Sequence, residues 1–218
     1  MLKLFFQYCS KYYNFDYSIF NDVPKFSLKI EKNNKDFYTL NEFKKFIKCV
    51  DNNVYKQFFN LMFFTGTRPG EAMALKFSDL QGDFIVINKT IDEHGKREVG
   101  TPKTLSSIRS IRIDSKLKRD LCSLYDYYVE LYRDNTFDCF IFGGKKPLSP
   151  TTINRYKLKA CNIANIRPIT LHQFRHSHAT LLFNNGVNIH VIKSRLGHSK
   201  VSTTLDIYTY SNLLQKIM

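Results

Sequence analysis

The chain has 218 residues, 43% of them hydrophobic, enough to bury one sizeable core with at most a small appendage. Its 33 lysines and arginines against 19 aspartates and glutamates leave a formal net charge of +14 and a pI of about 9.5. A globular protein so far from neutrality usually has a polyanion as partner, most often nucleic acid. The five cysteines show no CxxC spacing, which argues against a disulfide framework or a cysteine zinc site and fits a reducing cytoplasm.

The distribution of charge says more than its sum. After Asp138 the next acidic residue is Asp206, and ten bases lie between them, from Lys145 to Lys200. A solvated face normally carries both signs, so this half of the chain reads as a nucleic-acid surface. The apolar start of the chain is interrupted by Gln7, Cys9 and Lys11, too early for a signal peptide, and no apolar run is long enough to span a bilayer. A soluble cytoplasmic protein without a membrane partner is expected.

Residues 1–36 read as a short helix followed by an extended linker through Glu31–Lys35, with Pro24 breaking the pattern. From Thr39 the signals sharpen. Thr39 and Glu42 have capping-box spacing ahead of Phe43, Phe46, Ile47 and Val50. A second helix, roughly Val54 to Phe64, is apolar on most sides and belongs at the centre of the core. Gly66 stops it, and Pro69 suits the first turn of the next.

Three short strands are predicted at Phe84–Ile87, Arg97–Thr101 and Ile108–Ile113, joined by turns at His94-Gly95 and Thr104–Ser106. Leu117, Leu121, Leu124, Tyr128 and Leu131 then recur at steps of four and three, marking an amphipathic helix after Asp114. Ser149-Pro150 opens another helix, and Thr170 with Gln173 caps one that Gly186 ends. Short helices are expected from Asn188 to Arg195 and from Ser199 to about Ile207. The fold class is therefore mainly α with a small three-stranded antiparallel β-sheet.

With Thr170 as N-cap, His172 and Arg175 fall three apart on one helical face, within the first turns. A helix N-terminus attracts anions, and a guanidinium fork with an imidazole there makes a phosphate site with a proton-transfer group. The same pattern also fits an ordinary capped helix with an exposed arginine. His172 and His176 are four apart, but no HExxH glutamate or nearby carboxylate completes a zinc site. Arg68 sits in a Gly-Pro corner, Thr65-Gly66-Thr67-Arg68-Pro69-Gly70-Glu71, where it is either held for a ligand or simply paired with Glu71. Lys103 is placed on a hairpin loop, able to reach a DNA groove or to remain a solvated turn lysine. The stretch Leu196-Gly197-His198-Ser199 leads through Thr203-Thr204 to Tyr208, and with thirteen tyrosines composition alone nominates none of them.

Taken in order, these pieces resemble the tyrosine recombinase (phage integrase) family, in particular integrases of phages and conjugative transposons of low-GC Gram-positive bacteria. The resemblance runs from about Thr39 to Tyr210 and rests on five motifs: Thr-Gly-x-Arg-x-x-Glu, a hairpin lysine, His-x-x-Arg, Leu-Gly-His-Ser and Thr-Thr-x-x-x-Tyr. It implies a tyrosine recombinase catalytic-domain fold over residues 37–218, with residues 1–36 the helix and linker left of a core-binding domain, in a truncated form or a shortened gene product. It implies a site-specific recombinase that cleaves and rejoins double-stranded DNA through a 3′-phosphotyrosyl bond. Arg68 and Arg175 would clamp the scissile phosphate and Tyr208 would attack it. Lys103 would protonate the leaving oxygen, His172 would handle the tyrosine proton, His198 would hydrogen-bond the phosphate, and Glu71 would orient the Arg68 corner.

No metal or other cofactor is implied, because cationic donors supply the electrostatics and one phosphodiester replaces another. The resemblance further implies a tetramer on DNA with exchange of C-terminal tails (here the Leu213, Leu214, Ile217 stripe), an excision factor as partner, and a bacterial, nucleoid-associated location. Tyr210 stands where relatives often carry histidine and is the rival nucleophile. The alternatives are a non-catalytic DNA-binding integrase remnant and a type IB topoisomerase-like activity.

Overall fold

The computed structural model describes residues 2–13, 37–92, 98–101, 107–134 and 138–197. The chain divides into two units, residues 1–34 and 35–218. In the first, helix α1 spans Leu2–Tyr13, with the Tyr8 and Tyr12 rings 4.6 Å apart on successive turns. The predicted linker after it lies outside the described residues.

The second unit begins with helix α2 (Leu40–Lys48), and its N-terminus is closed as the spacing predicts. The Glu42 side chain accepts the Thr39 N–H at 2.8 Å, while the Thr39 hydroxyl accepts the Glu42 N–H at 3.2 Å. Helix α3 (Asn53–Thr65) is capped by Asn52 and buries Phe58, Phe59, Leu61, Met62 and Phe63. It ends at Gly66, which adopts the left-handed conformation at φ 68°. Helix α4 (Pro69–Ala74) follows after two residues and is buried throughout.

The sheet departs from expectation in one respect. Strands β1 (Leu80–Gln81), β2 (Phe84–Ile87) and β5 (Arg109–Arg112) form the three-stranded antiparallel sheet, in the order β1-β2-β5. The predicted middle strand is absent from it. Its described part, β4 (Val99–Gly100), pairs with β3 (Thr90–Ile91) in a separate two-stranded ladder. The reason lies in the pleat. Ile85 and Ile87 face inward on β2, and Ile85 sits opposite the buried Ile111 of β5. Val99 and Gly100 are both exposed and have no apolar side to offer a core. The predicted turns at 94–95 and 104–106 lie outside the described residues.

Helix α5 (Ser115–Tyr132) is capped by Asp114 and buries Leu117, Leu121, Leu124 and Tyr128. Leu131, predicted on the same face, is 54% exposed. The next residue, Tyr132, takes that place, stacked parallel to Tyr128 with ring centroids 5.9 Å apart. Helices α6 (Pro150–Ala164), α7 (Leu171–Asn184) and α8 (Ile189–Leu196) complete the described elements. The predicted helix from Ser199 lies outside them. Among the described residues, no helix is long and apolar enough to cross a membrane.

The core is aromatic where α2, α3 and α7 meet. Phe43 stacks on Phe63 at 3.8 Å, and Phe59 stacks on Phe174 at 5.5 Å. Burying rings of this size fixes the rotation of each helix about its axis. Since Phe174 is locked into that stack, its neighbour Arg175 is directed toward the end of α3. A second, smaller cluster of Ala179, Ile192 and Leu196 clamps α8 against α7. Together the two clusters bring the C-terminal ends of α3 and α8 to the same place.

Candidate active site

The C-terminal end of a helix carries carbonyl oxygens without helical partners and a partial negative charge. In this chain two such ends, those of α3 and α8, are turned on a set of arginines. Arg175, in the second turn of α7 and only 3% exposed, donates from Nη1 to the Gly66 carbonyl at 2.8 Å and from Nη2 to the Leu196 carbonyl at 2.6 Å. Arg68, two residues beyond Gly66, donates from Nη2 to the Gly197 carbonyl at 3.2 Å. Arg109, on β5, donates from Nε to the Arg195 carbonyl at 2.8 Å. Three consecutive carbonyls at the end of α8 thus hold three arginines from three other elements.

Gly66 is required for two reasons. Its positive φ suits glycine, and a Cβ there would lie 2.6 Å from Leu196 Cδ2 and 2.7 Å from His178 Cδ2. Only a bare backbone lets the end of α3 approach α8 closely enough to share Arg175. Gly197 closes α8 in the same left-handed conformation, at φ 68°.

Glu71, 2% exposed, is the carboxylate of the cluster. Arg68 reaches it through Nη1 to Oε1 at 2.7 Å and through its backbone N–H to Oε2 at 2.8 Å. Arg109 grips both oxygens, at 3.1 and 2.8 Å. Burial alone would raise the Glu71 pKa, but the hydrogen bonds and charge of Arg109 and Arg68 outweigh it and hold the carboxyl below the usual range. Burial, with Arg68 and Arg109 nearby, lowers the pKa of Arg175 to about 9, so it remains cationic at neutral pH.

Two of the three guanidiniums therefore bind the one carboxylate of the cluster. Among the described residues no carboxylate forms an ion pair with Arg175, whose acceptors are neutral carbonyls. Holding uncompensated cations out of water is unfavourable unless an anion joins them. The arrangement is suited to a ligand of at least one negative charge, and better suited to a state that gains a second.

A fourth arginine and a histidine support the end of α8. Arg195 donates from Nε to His178 Nε2 at 3.1 Å and from Nη2 to the carbonyls of Arg112 at 3.1 Å and Phe64 at 3.3 Å. Since His178 Nε2 accepts, the ring proton sits on Nδ1, 2.9 Å from the Phe63 carbonyl. Burial and the adjacent Arg195 charge push the His178 pKa down to about 3, so the imidazole stays neutral.

Of the six site residues expected from sequence, the structure brings Arg68 and Arg175 together. It places His172 one helical turn before Arg175, exposed in the first turn of α7. Thr170 caps that helix, its hydroxyl accepting the Gln173 N–H at 3.3 Å. Lys103, His198 and Tyr208 lie outside the described residues; Gly197, beside His198, is the last one described. Sequence reasoning passed over Arg109, His178 and Arg195 as parts of the cluster. For Arg109 a signal existed, since a strand alternates sides and Arg109 shares the inward side with Ile111. An arginine at a core-facing strand position needs a buried partner. His178 similarly lies one turn from Arg175 on the buried face of α7.

Fold and site define a class: a mainly helical domain that gathers an arginine pair where the C-terminal ends of two helices meet. Comparison with known proteins agrees. Residues 36–214 match the family model described as "Phage integrase family". The ICEBs1 integrase of Bacillus subtilis (strain 168) is 37% identical over 83% of this chain and 52% of its own length. A XerC-like tyrosine recombinase of Caldanaerobacter subterraneus is 31% identical over 78% of this chain and 49% of its own length. Among solved structures, XerA recombinase superposes with a TM-score of 0.64 at 25% identity, over 83% of this chain and 63% of that one. This chain belongs to the phage integrase family, and it spans about half the length of the two sequence relatives just described.

Proposed function

We propose that residues 37–218 are the catalytic domain of a site-specific DNA recombinase, with residues 1–36 the end of a core-binding domain. In this reading the anion gripped by Arg68 and Arg175 is a backbone phosphate of double-stranded DNA. The Tyr208 phenol oxygen attacks phosphorus, the bond to the 5′ oxygen breaks, and a 3′-phosphotyrosyl ester forms as a 5′-hydroxyl leaves. His172 accepts the phenolic proton, Lys103 gives one to the leaving oxygen, and His198 hydrogen-bonds the phosphate. One phosphodiester is exchanged for another, so the step is reversible and needs no external energy source.

The observation that carries this reading is the surplus of guanidinium charge where α3 and α8 end. A phosphodiester brings one negative charge, and its pentacoordinate transition state brings a second. Preorganised donors act on that increase, each contributing on the order of 3 kcal/mol. The arginines themselves form no bond to phosphorus; they position the phosphate for attack by the tyrosine. The run of bases from Lys145 to Lys200 supplies the long-range attraction to duplex DNA, and binding should weaken steeply with salt. A tetramer on DNA that exchanges C-terminal tails, with an excision factor to set direction, completes the proposal.

The test is covalent capture. Nicked duplexes tiled across the DNA flanking the reading frame are incubated with the purified chain and run on a denaturing gel. The wild type should form a denaturant-resistant adduct at one sequence. Tyr208→Phe should form none while binding the same duplex with near-wild-type affinity. An adduct of normal yield from Tyr208→Phe would remove Tyr208 from its role and leave Tyr210 as the candidate. Relaxation of supercoiled plasmid without site preference would favour a topoisomerase instead.

A further inference from the structure

We propose that Arg109 is a positioning residue for the phosphate-gripping pair: by engaging the Glu71 carboxylate it leaves the charge of Arg68 available to the scissile phosphate. The proposal rests on the recombinase reading above.

Arg109 is poorly placed to be a phosphate ligand, because four of its five guanidinium N–H groups are engaged by neighbouring residues and its side chain is nearly buried. Both Nη atoms bind Glu71, Nη1 also reaches the Ser107 carbonyl at 2.8 Å, and Nε holds the Arg195 carbonyl. Its side chain is 7% exposed, whereas that of Arg68 is 33% exposed. Arg68 is bound less completely. Among the described residues, apart from Glu71, it meets a carbonyl at 3.2 Å and the Ser107 hydroxyl at 3.4 Å, both at the long end for hydrogen bonds.

The electrostatics give Arg109 a purpose. Glu71 anchors the Arg68 corner through the backbone N–H that opens α4, so the carboxylate has a geometric role. A buried carboxylate beside Arg68 alone would cancel the field that Arg68 presents to an approaching anion. A second guanidinium on the same carboxylate removes that conflict: the anchor stays, and Arg68 keeps its cationic surplus. Arg109 is also tied to the first of the three α8 carbonyls, whose two successors hold Arg175 and Arg68. One β-strand residue therefore sets both the charge and the register of the pair.

The test is a double-mutant comparison read as single-turnover cleavage at saturating DNA. Arg109→Gln is expected to slow cleavage on the order of 100-fold. Its affinity for the duplex should stay within about threefold of wild type, because the Arg109 side chain is nearly buried and mostly engaged by the protein itself. Adding Glu71→Gln to Arg109→Gln should restore at least about tenfold of the lost rate, since a neutral amide no longer opposes Arg68. A purely structural Arg109 predicts the opposite, a double variant as slow as Arg109→Gln or slower, and that result would overturn the proposal.

Arg109→Lys keeps the charge without the fork, so it should cleave faster than Arg109→Gln and gain nothing from Glu71→Gln. If Arg109→Gln is too unstable to assay, Arg109→Lys and Arg109→Met, each with and without Glu71→Gln, carry the same comparison. Rescue confined to the Met background supports the charge account, and rescue in neither background refutes it. Failure of the wild type to form any covalent adduct would defeat the recombinase reading and this inference with it. A wild-type adduct without rescue defeats the inference alone.

Discussion

Arg167 and Arg175 stand on either side of the first turn of α7 and are held in opposite ways. Arg167 donates to the Glu42 carboxylate at 2.6 Å and to the Phe37 carbonyl, with its guanidinium 5.6 Å from the Tyr38 ring centroid. Its charge is met by an equal one and by an aromatic face. Arg175 is more deeply buried and, among the described residues, meets the dipoles of two helix ends. The first arginine closes a corner of the fold. The second is held in place by neutral acceptors that leave its charge uncancelled, which suits a group awaiting an anion. Charge balance, more than burial, distinguishes the two.

Removing the charge from each corner tests that distinction, and the largest effect belongs to the unbalanced one. Arg175→Ala or Arg68→Ala should abolish detectable single-turnover cleavage, each removing about 3 kcal/mol of transition-state stabilisation or more. Arg167→Ala should leave the rate per folded molecule at the wild-type level. Equal loss of activity from all three would show that the corners differ in burial only. Next in size is Gly66→Ala. The backbone term alone costs about 1–2 kcal/mol at a left-handed position, and the added methyl meets Leu196 and His178. Because the Gly66 carbonyl holds Arg175, cleavage should fall together with the denaturation midpoint.

The balanced corner should respond in stability. Losing the Arg167 pair with Glu42 is expected to lower the unfolding free energy by about 1 kcal/mol, since both partners are about one-third exposed. Its pH dependence has a definite sign. Burial works to raise the Glu42 pKa, but hydrogen bonds from Thr39 and Arg167 outweigh it, so the folded value lies below the unfolded one. The stabilisation is therefore complete above about pH 4.3, the ordinary glutamate value. It fades as pH falls through the lower folded value. Glu71 is depressed in the same way and adds to the same acid-side loss. Urea titrations between neutral pH and pH 3 should show stability declining only on the acid side, and less steeply in Arg167→Ala.

What could be read from the sequence was local. The boxes Thr39/Glu42 and Thr170/Gln173 close within three residues, and both form. The stop at Gly66 and the start at Pro69 are equally short-range, and they set Arg68 at its corner. Arg68 and Arg175 were each recognisable by motif. Their shared attachment to the end of α8 was not, because it depends on carbonyls at Leu196 and Gly197 that any residue would provide. The strand partner is hidden in the sequence for a related reason: β2 pairs with β5 across more than twenty intervening residues, and β4 is as strand-like in sequence although both of its residues are exposed. Arg109 is legible as a core-facing arginine, but its partner is hidden by the same long range, since Glu71 lies 38 positions away. Lys103, His198 and Tyr208 rest on sequence alone.

The smallest effect is expected where a short contact is most tempting to overvalue. Lys159 and Asp51 approach to 2.6 Å, as close as Arg167 and Glu42 do. Their side chains are 57% and 53% exposed, so water and salt screen the attraction, and ordering the long lysine offsets part of what remains. Lys159→Ala should leave the denaturation midpoint unchanged at moderate salt, with at most a slight decrease at low salt. A large loss that persists in high salt would mean that solvent does not screen this pair. Exposure would then have to be set aside as the property that separates it from the buried Glu71 carboxylate, where the same two kinds of charge hold an arginine in place.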